Sequence, residues 1–249
     1  MMRMYTICFV IAIVGSVTVF AGPPEGEGWQ SMFNGKDLGA FDIQPAQRAM
    51  WTVVDDTIDC NPRSDVKGDQ SLWTKQSFED FELVVDWRIK ETKGKYNMPV
   101  VLPSGLHKRN EKGQEIIERR ANADSGLYLR GSSKSQVNIW CWPIGSGEVY
   151  GYRMDDKMSA EVRRGVTPSE NADGPVGEWN TFRFTMKGDR LTVVLNGKTV
   201  LDKAQLPGIP PRGPIALQHH GGFDPATGNW NSASSLVQFR NFYIRELAD

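Results

Sequence analysis

The chain carries only three histidines in 249 residues, and two of them stand together in the stretch GPIALQHHGG, residues 213–222. Either could serve as a general base or a metal ligand, or as an ordinary polar residue at a strand end. A strand alternates its side chains between two faces. With Ile215 and Leu217 on the dry face, His219 points inward with them, while Ala216, Gln218 and His220 share the opposite face. The two histidines are therefore separate. His220 with Gln218 is the functional candidate, and His219 reads as a core-edge histidine bonded to backbone. The same rule divides residues 126–130, where Leu127 and Leu129 are dry and Tyr128 and Arg130 face out. In 136–142, Val137, Ile139 and Cys141 are dry, whereas Gln136, Asn138, Trp140 and Trp142 face out. Rings, amides and a guanidinium on neighbouring strands suit a sugar, whose CH faces stack on aromatic rings and whose hydroxyls need fixed polar partners. The alternative is that Trp140 and Trp142 cover a sheet edge and that Arg130 holds Asp124 in a structural ion pair.

Two carboxylates complete the candidate set. Glu148, in GSGEVYGYR, follows glycines that let a loop bend toward such a face, so it is a carboxylate base or metal ligand, or else a solvated turn glutamate. Asp124 precedes Ser125-Gly126, where a turn aspartate usually caps its own backbone; the other reading makes it a metal ligand. The third histidine, His107, lies in a polar excursion spanning 94–122 and reaches a site only if that excursion folds back as a lid.

The elements that must position these residues are strands. Phe81, Leu83, Val85, Trp87 and Ile89 alternate with Glu82, Asp86, Arg88 and Lys90. LTVVLNGKTVLD, 191–202, has Asn196-Gly197 between two β-rich runs, a strong hairpin signal. Further strands are expected at 51–54, 72–74, 126–130, 137–142, 179–187, 215–219 and 237–247, which points to a β-sandwich or jelly roll. Trp179, Asn180, Asn196 and Gly197 are assigned to structure. The IIERR stretch inside the excursion is expected to make a short helix, and 221–235 is a Gly-, Asn- and Ser-rich segment directly after the paired histidines.

A formal net charge of -1 with a pI near 6.3 leaves no basic excess for phosphates, so nucleic acid is an unsuited partner. The N-terminus has a short head with Arg3, an apolar run at 7–20 and Ala21, the layout of a signal peptide over residues 1–21. The run is shorter than the ~20 residues a membrane span needs, so the expectation is a secreted or periplasmic protein with no stable membrane anchor after signal removal. Loss of Cys8 would leave Cys60 and Cys141, read here as two buried free thiols, with a disulfide as the alternative.

Taken in order, SMFNGKDLGAF, FEDFELVVDWRI, DSGLYLRG, GEWNTFRFTMKGDRLTVVLNGKTV, GPIALQHHGG and VQFRNFYIREL resemble the 3-keto-disaccharide hydrolase domain family over residues 29–247. The resemblance implies an all-β fold, a concanavalin A-like jelly-roll β-sandwich of two antiparallel sheets, one concave and able to hold a small carbohydrate or glycoside substrate. It implies action on glycosides whose glucose C3 is a ketone. The ketone acidifies the proton at C2, so a base can open the glycosidic bond by elimination, with water added later. That route needs a base near C2 and an electrophile near the C3 oxygen, a role a divalent cation could fill. On this reading Glu148 and His220 are catalytic and Asp124 is a metal ligand. Tyr128, Arg130, Gln136, Asn138, Trp140, Trp142 and Gln218 bind substrate, and Gln218 and His220 match the family's Q-x-H-G pattern. The chain departs from the family in having Asp124 in place of the Asn of an NSG-type turn, QVNIWCWP in place of a YEVQILD-like strand, and the long 94–122 excursion. The same fold would also suit a non-catalytic carbohydrate-binding module or a cell-surface interaction domain.

Overall fold

The alternating run at 81–89 forms β6 (Phe81–Ile89), the middle strand of the larger sheet. Around it the order is β13 (Lys198–Gln205), β12 (Arg190–Leu195), β11 (Asn180–Lys187), β6, β17 (Val237–Glu246), β4 (Thr57–Cys60) and β3 (Trp51–Val54), with β1 (Gln30–Ser31) added beside β17. The smaller sheet runs β10 (Ser132–Trp140), β9 (Asp124–Leu129), β14 (Gly213–Leu217), β5 (Leu72–Phe78) and β2 (Phe41–Asp42). The computed structural model describes residues 23–248, so the expected signal peptide lies outside the described residues. Every pairing within the two sheets is antiparallel, and together they make a jelly-roll β-sandwich.

Between the sheets, Phe81, Leu83, Val85, Trp87 and Ile89 meet Leu127, Leu129, Val137, Ile139, Ile215 and Leu217 in one buried cluster. Each such side chain contributes roughly 1.5–3 kcal/mol on burial. A one-residue slip of β6 would carry Glu82, Asp86 and Arg88 into that layer, so the core fixes the register. The Asn196-Gly197 turn joins β12 to β13 with both residues at positive φ, 51° and 82°, the geometry of a two-residue hairpin.

The polar excursion is a β-ribbon that projects from the sandwich. β7 (Lys95–Pro99) pairs with β8 (Ile117–Ala121), and bridges Val101–His107 and Arg109–Glu115 extend the ribbon. The helix expected at IIERR is therefore incorrect. Met98 pairs with Glu118 and Asn97 with Arg119; the ladder satisfies backbone groups that one isolated helical turn could not hold in water. Two short helices, α1 (Tyr150–Arg153) and α2 (Ala160–Gly165), pack on β10 and β13. Cys60 is buried and Cys141 half-buried, and both are free thiols. No helix among the described residues is long and apolar enough to cross a membrane.

Candidate functional site

The outer face of the smaller sheet gathers half of the predicted residues. Register sets Trp73 beside Ala216 and Ala216 beside Tyr128. Because Ala216 is small, the two aromatic side chains close over it and stack, with ring centroids 5.6 Å apart and planes 28° from parallel. One step along the strands, Gln218 donates its backbone N–H to the Gly126 carbonyl at 2.8 Å. The Gln136 amide reaches across to donate to Gln218 Oε1 at 2.6 Å. That crossing explains Gly126: a Cβ there would lie 2.5 Å from the Val137 carbonyl oxygen and 3.1 Å from Gln136 Cγ. The Tyr128 hydroxyl bonds the side chains of Gln218 and Ser71, and burial raises its pKa.

At the end of this face His220 is locked from behind. Its backbone N–H donates to Ser235 Oγ at 2.7 Å, and Nδ1 lies 2.6 Å from the Ala233 carbonyl oxygen. A carbonyl only accepts, so Nδ1 carries the proton and Nε2 keeps its lone pair in the neutral ring. Ser235 Oγ also contacts the carbonyls of Asp124 and Gln218, at 2.8 and 3.2 Å, which ties the three candidate residues to one buried serine. Burial raises the Asp124 carboxyl to about 6, against the pull of the nearby His220. Gly221 and Gly222 serve close approach. A Cβ at Gly222 would meet Ser234 Oγ at 2.0 Å, and one at Gly221 would meet the Arg63 carbonyl at 2.6 Å.

His219 is held separately: its Nε2 lies 3.3 Å from the Asn61 carbonyl, and burial lowers its pKa. Both histidines are half-buried beyond the end of β14, each against a different backbone carbonyl. Sequence reasoning missed Asp69, Ser71, Trp73 and Ser235. Asp69 Oδ2 accepts from the Trp73 indole at 2.8 Å and Oδ1 from the Ser71 backbone at 2.9 Å. Burial raises the Asp69 carboxyl, but these donors hold it below its ordinary value. A face reading of DQSLW, with Leu72 dry, would have found the first three. Ser235 had no local signal, since its partners lie 15 to 111 residues away.

Five predicted residues do not join this group. Arg130 has φ 49°, which ends the alternation at Leu129. Its buried guanidinium binds the carbonyls of Glu79 and Gly188, each at 2.6 Å, and Asp80 at 2.8 Å, so its acidic partner is Asp80 and not Asp124. Glu148 is fully buried and paired with Arg153 at 2.5 Å, beneath Gly105 of the ribbon, whose carbonyl also accepts from Arg153. Burial pushes its carboxyl up against the pull of Arg153. Asn138 is 2% exposed, bonded through its backbone to Glu148 and Gly147. Trp140 is 3% exposed and donates to the Gly145 carbonyl at 2.6 Å; Trp142 stacks on it, centroids 4.1 Å apart. His107 pairs with Glu115 at 3.1 Å within the ribbon.

Among the described residues, no three His, Cys, Asp or Glu side chains come together as a metal-holding group. Asp124, expected as a metal ligand, has His220 as its acid–base neighbour. The chemistry below uses only the chain's own donors and acceptors.

The two-sheet antiparallel sandwich is the architecture shared with several solved bacterial proteins. Three from Parabacteroides distasonis ATCC 8503, provisionally described as glycosyl hydrolases, share the fold. One is 22% identical over 89% of this chain and 84% of its own, with a TM-score of 0.55. A second is 17% identical over 89% and 95%, TM-score 0.52. A third is 22% identical over 88% and 99%, TM-score 0.50. No curated protein sequence matches. The family model of the 3-keto-alpha-glucoside-1,2-lyase-like domain matches residues 28–245, and the chain belongs to that family.

Proposed function

We propose that this chain is an exported carbohydrate-active enzyme that cleaves a 3-keto-glycoside on the outer face of the smaller sheet. Family membership supports the substrate class, and the apolar N-terminal run at 7–20 ending at Ala21 supports export. The observation that carries the chemistry is the His220 lock: Nδ1 held by the Ala233 carbonyl leaves Nε2 as a proton acceptor beside Asp124.

In the proposed reaction the sugar ring lies against Trp73 and Tyr128. His220 Nε2 takes the proton from C2, made acidic by the C3 ketone. The electron pair left at C2 forms the C1=C2 double bond as the C1–O glycosidic bond breaks, and the departing oxygen receives a proton. Water then adds across C1=C2, its hydroxyl to C1 and a proton to C2. The Tyr128 hydroxyl and the amides of Gln136 and Gln218 offer donors for the C3 oxygen, where negative charge grows. Asp124 stabilises the imidazolium formed on His220.

The test is turnover of a purified 3-keto-glucoside, followed by aglycone release and by uptake of solvent deuterium at C2, with and without added Ca²⁺, Mg²⁺, Mn²⁺ or Zn²⁺. Release with deuterium at C2, and none from the unoxidised glucoside, is the expected result. Glycan binding with no turnover under any of these conditions, unchanged by His220→Ala, would replace this reading with a non-catalytic binding module.

A further inference from the structure

A cavity of about 300 Å³ opens at the edge of the sandwich beside β10, lined by Trp87, Trp140, Trp142, Asp173, Val176 and Asn180 among others. Trp142 is half-buried and lies nearly parallel to Trp140, at 4°. Trp140 is itself fixed by its indole bond to the Gly145 carbonyl and by the edge contact of Tyr150, 6.2 Å away at 88°. The aromatic wall is therefore rigid.

Among the described residues, two buried polar atoms of the lining have no hydrogen-bond partner: the indole N–H of Trp87, a residue 1% exposed, and Oδ1 of Asp173. Asp173 Oδ2 accepts from the Ser146 backbone at 2.9 Å, and burial raises the carboxyl. The Asn180 amide is already committed: Oδ1 accepts from Gly174 N and Asn196 Nδ2, each at 2.7 Å, and Nδ2 donates to the Glu178 carbonyl at 3.3 Å. A buried donor or acceptor left unmet costs free energy. A hydroxyl carries both, and a ring with an apolar CH face suits the indole wall.

We propose that this cavity is a binding site for one neutral pyranose ring, separate from the Trp73–Tyr128 stack. Trp140 is the cross-strand partner of Asp124, so the two sites adjoin across β9 and β10. The assignment does not depend on catalysis at His220.

The cavity holds three of the chain's eight tryptophans, which makes intrinsic fluorescence a direct readout. The protein is titrated with methyl glucoside and, separately, with phenol. Saturable millimolar binding of the glucoside is expected in wild type and in His220→Ala. About tenfold weaker binding is expected in Trp142→Ala and in Asp173→Asn, which turns the free acceptor into a donor facing another donor. Trp142→Phe, with its fold checked by circular dichroism, should retain most of the affinity. No saturation by the sugar, wild-type affinity in the Trp142→Ala and Asp173→Asn variants, or saturation by phenol alone would overturn the proposal.

Discussion

The two outer faces of the sandwich obey the same strand alternation and have opposite electrostatics. On the larger sheet the polar groups are consumed by one another. Asp86 accepts from Thr181 at 2.6 Å, Asn241 at 2.7 Å and Arg240 at 3.4 Å. Asp59 takes both Lys90 and Gln238, and Arg245 binds Glu82. Trp179 lies between Arg88 and Arg240, with guanidinium carbons 4.7 and 4.0 Å from its ring. On the smaller sheet the backbone is just as firmly tied, through Ser235, yet His220 Nε2 and the Asp124 carboxyl have no hydrogen-bond partner among the described residues. The difference teaches where to look for chemistry: a paired polar face holds the sheet together, and a face whose scaffold is satisfied but whose tips are open can act on a ligand.

The largest expected effect breaks the open face. His220→Ala should lower kcat for the 3-keto-glycoside by roughly 10²–10⁴, the usual worth of a positioned acid–base group, while thermal melting changes little. A loss of stability with unchanged kcat would make His220 a structural residue like its neighbour His219. The paired face should behave in reverse. Asp86→Ala strands Thr181, Asn241 and Arg240 and should cost about 2–4 kcal/mol of unfolding free energy in a urea titration, with kcat of the folded fraction unaltered.

Smaller effects sharpen the contrast. Trp73→Ala removes half of the stacked pair and should raise KM about tenfold with a modest change in kcat, since stacking holds ground state and transition state alike. Asp124→Asn tests the titration. The folded Asp124 carboxyl, at about 6, binds its proton more tightly than the ordinary value of 3.8. Its cost to stability is absent below about pH 4, grows as pH rises and is complete above about pH 6. The Asn variant should therefore be more stable than wild type by about 1–2 kcal/mol at pH 7.5 and equal to it at pH 3.5. Its activity should lose the acidic limb near pH 6; an unchanged limb would detach Asp124 from the reaction.

Much of this was legible in the chain. Alternation in 81–89 predicted the core, because side-chain direction in a strand is a local property of the backbone. It failed where the backbone left the strand or where another segment arrived. Arg130 turned under at positive φ, and Asn138 and Trp140, expected to face out, are covered where residues 145–148 pair back on β10.

By itself the sequence determined the sandwich class, the dry face of its central strand and the family, since period, turn residues and apolar burial act over a few neighbours. Only the tertiary structure decided which outward residues remain reachable. Tyr128, Gln136, Asp124 and His220 stay partly exposed around the buried Gln218, joined by Asp69, by the buried Ser71 and by Trp73 of β5, more than fifty residues upstream of Asp124. Arg130, Glu148 and Asn138 are covered. Whether an outward side chain meets water, a ligand or another loop is fixed by contacts between distant segments, and GPIALQHHGG acquires its open imidazole only when Ala233 and Ser235 close behind it.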